Sequence, residues 1–244
     1  MSALDVITPN WPAPKRVKAL STTRHGGVSI GPYAAFNLGG HVNDDPEHVA
    51  INREKLAKLL PNDPMWLNQI HGTGVIDGSV YTGVCDADAS FSKQTNQICT
   101  VMTADCLPVL FCDDEGTHVA AAHAGWRGLL DGMLENTVAT FNDPSAVMAW
   151  LGPAIGPDAF EVGQEVKDRF CAKDAASEVC FTSSENAGKW LADLYALARM
   201  RLLSAGVKEV YGGHFCTYTD QARFFSYRRD GITGRMASCI WLTD

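Results

Sequence analysis

A cysteine and two histidines, each placed just beyond an apolar run, are the residues of this chain best suited to chemistry. Cys106 sits in Thr103-Ala104-Asp105-Cys106-Leu107-Pro108, and His123 follows in Ala122-His123-Ala124-Gly125-Trp126-Arg127-Gly128. His71 stands in Gln69-Ile70-His71-Gly72, between an apolar segment and a glycine. One thiolate and two imidazoles can hold a single zinc and leave its fourth position open, which is a catalytic arrangement. The competing reading is three unrelated core residues, since free cysteine is among the most buried residue types. Asp105 tilts the balance toward a site, because an unpaired carboxylate at the end of an apolar run is costly. It would orient a ligand or exchange protons there.

Two glycine-rich turns carry cations. Gly125-Trp126-Arg127-Gly128 opens a helix and can offer N–H groups and a guanidinium to an anion; alternatively its glycines only make the turn and Arg127 is solvated. The segment from Thr22 to Ser29 brings Arg24, followed by Asn37-Leu38-Gly39, but it lacks the spacing of a phosphate-binding P-loop. His25, His41, His48, His118 and His214 have no ligand-spaced partners and read as structural or surface residues. The aromatic and arginine run from Phe224 to Asp230 reads as strand core and a solvated turn.

Strands and helices must position these groups. Strand-like runs span Lys18 to Thr22, Ile98 to Met102, Val109 to Cys112, His118 to Ala122, Val147 to Leu151, Val207 to Tyr211 and Met236 to Leu242. Short links between positions 98 and 122 favour antiparallel pairing of neighbours. Asp45-Pro46 starts a helix whose face is Val49, Arg53, Leu56 and Leu60. Amphipathic stripes follow at 130–141, at 160–170 and from Leu191 to Leu202, the last capped by Gly206. Asp230-Gly231 reads as a hairpin connection before the final strand. The mixture predicts an α+β or mixed-sheet α/β fold in one domain over 1–244.

The 244 residues carry a formal net charge of -8, with 46% hydrophobic and 20% charged residues, as in an ordinary globular protein. The acidic balance disfavours nucleic-acid and anionic-membrane partners. Prolines at 9, 12 and 14 interrupt the N-terminal stretch, which has no apolar signal-peptide core, and no run approaches a membrane span. Eight scattered cysteines then read as reduced thiols in a cytoplasmic protein. Zinc deaminase and metalloprotease motifs are both missing, and seven histidines poorly equip the chain for a multicopper cluster.

The motifs taken together resemble the bacterial YfiH family, also called the laccase-domain or polyphenol-oxidase-like family. Besides those already quoted, Ala87-Asp88-Ala89, Leu151-Gly152-Pro153-Ala154-Ile155-Gly156-Pro157 and Phe225-Ser226-Tyr227-Arg228-Arg229-Asp230 match in order along the chain. The resemblance implies a layered α/β/β/α domain with mixed sheets, similar to the catalytic core of cytotoxic necrotizing factor. It implies zinc on His71, Cys106 and His123, all three also catalytic, with copper as the alternative metal. The implied activities are phosphorolysis of adenosine, guanosine, inosine and methylthioadenosine, and deamination of adenosine. Copper-dependent polyphenol oxidation, Cys–His hydrolysis of peptidoglycan precursors and a non-enzymatic zinc-stabilised binding protein are the alternatives. The partners would be purine nucleosides and phosphate, held by Arg24, Asn37, Gln69 and Arg127, and the protein would be a monomer.

Overall fold

The computed structural model describes residues 4–244. Residues 1–3 of the expected 1–244 domain, and of the N-terminal stretch read for a leader, lie outside the described residues. A five-stranded sheet runs in the order β1 (Val6–Ile7), β2 (Val17–Thr22), β14 (Met236–Leu242), β6 (Ile98–Thr103) and β3 (Pro64–Met65). A six-stranded sheet runs β13 (Glu209–Gly212), β9 (Val147–Leu151), β7 (Leu107–Asp113), β8 (Val119–Ala124), β5 (Ala89–Ser92) and β4 (Val75–Asp77). Three short strands, β10 (Glu161–Gly163), β12 (Lys189–Ala192) and β11 (Phe181–Ser183), form a side sheet. β3–β6, β4–β5 and β13–β9 pair in parallel and the other ladders are antiparallel, so the two main sheets are mixed.

Strand alternation explains the layering. Leu110 and Cys112 of β7, Val119 and Ala121 of β8, and Met148 and Trp150 of β9 pack against Cys99, Val101, Ile240 and Leu242 of the facing sheet. The alternate residues Val109, Phe111, Ala120, Ala122, Val147 and Ala149 turn outward under a helical layer. That layer contains α2 (Trp126–Asp131), α3 (Met133–Val138), α4 (Gln164–Lys173) and α5 (Leu194–Ser204). On the opposite side Ile98, Met102, Ala237, Cys239 and Trp241 meet Leu56 of α1 (Pro46–Ala57). Central strands are therefore buried on both faces, which is why they read as continuous apolar runs. The single mixed domain and its α/β/β/α order agree with the expectation.

Four local expectations change. β6 and β7 do not pair with each other: β6 lies in one sheet against β14, and β7 in the other against β8 and β9. The chain crosses between layers at Ala104-Asp105-Cys106, with Asp105 at φ 90. The stripe over 130–141 breaks at Gly132, φ 113, into α2 and α3. The stripes at 160–170 and 191–202 each begin as a strand, with α4 starting at Gln164 and α5 at Leu194. Asp230-Gly231 is no hairpin. Tyr227–Asp230 forms a short helix, α6, whose first turn is capped by Ser226 and which stops at Gly231, φ 69. The expected start of α1 holds: Asp45 accepts from the Glu47 N–H at 2.9 Å, with Pro46 next.

Leu110 lies at the centre of the sheet-to-sheet interface and is fully buried. Leu110→Ala should lower unfolding free energy by about 2–5 kcal/mol. Urea denaturation reads the loss as a lower midpoint with an unchanged slope.

Candidate metal centre

Register brings the site together at one end of the six-stranded sheet. Pro108 lies opposite His123 on paired strands, so Cys106, two residues before Pro108, reaches the end of β8. Ala89 lies opposite Ala122, which places Asp88 beside His123, and the His123 N–H donates to the Asp88 carbonyl at 2.7 Å. β4 pairs in parallel with β5, and the loop preceding it carries His71 back to the same carboxylate.

The ligand atoms of His71, Cys106 and His123 all lie within 4.8 Å of one another. The His71 and His123 rings meet edge to face with centroids 4.8 Å apart, and Cys106 Sγ is 3.9 Å from His71 Nε2. His123 is buried, Cys106 half-buried and His71 exposed, so the cluster opens at one side. They share a cavity of about 360 Å³ with His41, Gln69, Met102, Thr103, Ala104, Tyr227 and Arg235. Cavities of about 600 and 500 Å³ elsewhere are lined by none of the three.

Asp88 organises this cluster. Its fully buried carboxylate accepts from the N–H groups of Ile70, His71 and Gly72 at 3.2, 3.0 and 2.7 Å. It also receives His123 Nδ1 at 2.8 Å. A carboxylate only accepts, so Nδ1 carries the proton and Nε2 is left as the ligand atom. His71 is held at φ 60, a conformation sparsely used by non-glycine residues, by those same amide bonds. Ala87-Asp88-Ala89 was legible only as a family motif; no spacing rule marks its carboxylate.

The members of the cluster polarise one another. Burial opposes ionisation of Cys106, but the neighbouring His123 charge and hydrogen bonds from both imidazoles prevail, lowering the thiol to about 6. Burial likewise opposes protonation of His123, yet the Cys106 charge and the Asp88 bond raise it to about 9. Asp88 stays ionised: burial works against the charge, and His123 with the loop amides outweighs it. A soft thiolate and two oriented imidazoles are a donor set that zinc or copper fits.

The glycines next to His123 make room for this set. A Cβ on Gly125 would lie 3.0 Å from Cys106 Sγ and 3.2 Å from His71 Cδ2. On Gly128 it would lie 2.9 Å from the Gly72 carbonyl, blocking the approach of α2 to the His71 loop. Close packing therefore accounts for the Gly-Trp-Arg-Gly turn. Arg127 is exposed, with its guanidinium 4.5 Å from the Trp126 ring centroid.

The other expected residues are placed as follows. Gln69 lines the cavity, its carboxamide locked to the Met102 N–H and C=O at 2.7 and 2.8 Å. Asp105 stands beside Cys106, but one carboxylate oxygen accepts from Thr217 Oγ1 and the other from the Arg228 N–H, both at 2.6 Å. It ties α6 to the crossover. Arg24, Asn37 and Arg127 do not line the cavity. Arg24 donates to the Ala34 and Gln221 carbonyls and lies over the Phe225 ring. Asn37 is fully buried. His41, expected to be a structural or surface residue, and Tyr227, expected in strand core or a solvated turn, line the wall together with Arg235, because each comes from a loop or short turn whose course no periodicity reveals.

Asp88→Asn keeps the size of the group but weakens the Nδ1 bond, and should reduce metal affinity about 10- to 100-fold. Competition with a coloured chelator measures this, and an unchanged affinity would remove Asp88 from its organising role. In chelator-treated protein the thiolate fraction of Cys106 rises with pH through about 6. Alkylation of Cys106 by iodoacetamide, followed by peptide mass spectrometry, should therefore reach half its maximal rate near that pH.

A family model described as multi-copper polyphenol oxidoreductase laccase matches residues 18–243. The chain is 55% identical over 242 residues to the Escherichia coli protein named purine nucleoside phosphorylase YfiH, covering 97% of this chain and 98% of that one. It is 48% identical to a Haemophilus influenzae protein named purine nucleoside phosphorylase, covering 98% and 99%. Among solved structures, a Neisseria meningitidis protein superposes with a TM-score of 0.93 at 54% identity, covering 98% and 99%. YlmD from Geobacillus stearothermophilus gives 0.91 at 31% identity, covering 100% and 98%. With fold, length and motifs in agreement, the chain belongs to the YfiH, or laccase-domain, family.

Proposed function

We propose that this protein is a zinc-dependent purine nucleoside phosphorylase acting on adenosine, guanosine, inosine and methylthioadenosine, with an adenosine deaminase activity at the same site. The observation that carries this reading is the His71–Cys106–His123 donor set in the wall of a cavity of about 360 Å³. That volume falls in the range of small-molecule sites. The names of the relatives support the phosphorylase activity. Three protein donors leave a fourth position for substrate or water, as catalytic zinc requires. Eight free cysteines support a reduced, cytoplasmic setting.

Phosphorolysis breaks the bond from the sugar C1′ to the base nitrogen and forms a bond from C1′ to a phosphate oxygen. The departing base takes up a proton. A zinc held by the three residues would supply Lewis-acid charge and lower the pKa of water to about 7. Asp88 presents His123 Nε2 to the site, and the locked Gln69 carboxamide fixes the segment that delivers His71. The 60% exposed Tyr227 ring gives the cavity an aromatic wall suited to a flat base. Polyphenol oxidation by several coppers fits the donors less well. Among the described residues one group of three donors gathers, enough for a single ion.

A second reading draws on the Asp88···His123 bond beside Cys106. Carboxylate, imidazole and thiolate in that order are the parts of a cysteine hydrolase, with histidine activating the thiol. Metal dependence separates the two. Chelation should abolish phosphorolysis of inosine, and stoichiometric zinc without copper should restore it. Cys106→Ser should remain folded yet lose most zinc and most turnover, because a hydroxyl is a far poorer zinc ligand than a thiolate. Full activity in metal-free protein, abolished by alkylating Cys106, would establish the hydrolase instead. Recovery only with copper and dioxygen would establish the oxidase.

A further inference from the structure

The cavity beside the donor cluster has one guanidinium in its wall, that of Arg235. Its position is set by Asn37-Leu38-Gly39, a segment 198 residues away that does not itself reach the cavity. Asn37 Oδ1 accepts from the Arg235 N–H at 2.8 Å and from the Gly39 N–H at 2.9 Å. The Leu38 N–H donates to the Arg235 carbonyl at 3.1 Å. A Cβ on Gly39 would lie 2.8 Å from Arg235 Cγ, so the missing side chain lets the arginine stem pass.

The guanidinium is only partly engaged. Nη1 donates to the Thr233 and Gly234 carbonyls, both at 3.0 Å, whereas Nε and Nη2 have no protein acceptor among the described residues. One nitrogen is thus anchored and the two-pronged Nε/Nη2 edge is left over. Neighbouring arginines differ. Arg229 donates to the Thr217, Tyr218 and Phe224 carbonyls and pairs with Asp230, and Arg24 donates from Nε and Nη1 to carbonyls. His41, two residues beyond Gly39, adds an imidazole to the same wall.

We propose that Arg235, aimed by Asn37-Leu38-Gly39 and flanked by His41, is an oxyanion subsite of the cavity and that it binds inorganic phosphate. The proposal rests on the phosphorylase reading for the identity of the anion. An Nε/Nη2 edge matches two oxygens of a tetrahedral oxyanion. In a chain of net charge -8, a phosphate can be held only where local cation outweighs the field of the whole. A half-buried guanidinium is screened less by salt than a surface one. Asn37 acquires a positioning role at this subsite, and Gly39 is the small residue that the arginine requires.

Inorganic phosphate titrated calorimetrically into zinc-loaded wild type, Arg235→Gln and Arg235→Lys tests this, alongside inosine cleavage at varied phosphate. Arg235→Gln should weaken phosphate binding and raise the phosphate KM about 10- to 100-fold, as expected for loss of a charge-assisted contact. The inosine KM should change by less than about threefold and zinc content should not change. Arg235→Lys should recover part of the loss, since an ammonium keeps the charge without the fork. Gly39→Ala, which presses on Arg235 Cγ, should shift the phosphate KM in the same direction by a smaller factor. An unchanged phosphate affinity in Arg235→Gln, an equal rise in the inosine KM, or no phosphate binding by wild type would each overturn the subsite. If wild type binds phosphate through Arg235 but does not cleave inosine, the subsite stands and the phosphorylase reading falls.

Discussion

One buried carboxylate holds the centre together. Asp88 is fully enclosed and receives three successive backbone N–H groups from one loop and an imidazole N–H from a strand of the central sheet. An ionised carboxylate without such partners would be prohibitively costly at that depth. Satisfying it forces two otherwise independent segments to meet: the 70–72 loop must wrap it, and His123 must point its Nδ1 at it. Both histidines then face Cys106. The geometry of the donor set is thus a consequence of hydrogen-bond accounting around an anion that lies outside the set.

The third donor depends on a different constraint. β6 and β7 are consecutive in the chain yet belong to opposite sheets, and Asp105 and Cys106 occupy the crossing. A crossover between two packed layers cannot pair with either sheet, so its polar groups need other partners. Asp105 supplies them. Its carbonyl accepts the Ile155 N–H at 2.9 Å and its carboxylate gathers Thr217 and Arg228. The same bonds that make the crossing tolerable anchor α6 and with it Tyr227 at the cavity mouth. Structural carboxylates on either side of the cluster therefore divide the work: Asp88 orients donors, and Asp105 fixes the wall.

Much of the fold was legible because central strands buried on both faces announce themselves as apolar runs, and α1 announces itself through Asp45-Pro46. Partnership between strands was not. Short links near 98–122 suggest hairpins, but whether a link turns within a sheet or crosses a sandwich is decided by packing across about 10 Å, which local sequence does not encode. Gly132 divides a continuous apolar stripe into two helices, and stripe periodicity is blind to one left-handed residue. The three donors could be chosen from residue type and position after apolar runs. Arg24 and Arg127 were attractive as loop cations beside glycines, but their guanidiniums satisfy carbonyls or lie over an aromatic ring instead. Arg235 lay unmarked beside a turn, because the residues that aim it are in a different third of the sequence.

Charge balance ties these parts into one argument about the ligand. The cavity region gathers the Cys106 thiolate and the Asp88 and Asp105 carboxylates against a protonated His123 and Arg235. A divalent cation on the donor set would displace the proton shared by Cys106 and His123, so the sum of these charges would become less negative by one unit. An anion entering the cavity would then meet a neutralised thiolate as well as the guanidinium fork of Arg235. Without the cation the same anion would face a thiolate across a low-dielectric gap, where like charges repel strongly. On the proposed reading, binding of metal would therefore favour binding of an anionic co-substrate through electrostatics alone, with no conformational change required. On the proposed reading an acidic protein would use an anion as co-substrate because the favourable field would be confined to a few ångströms around the cation and Arg235.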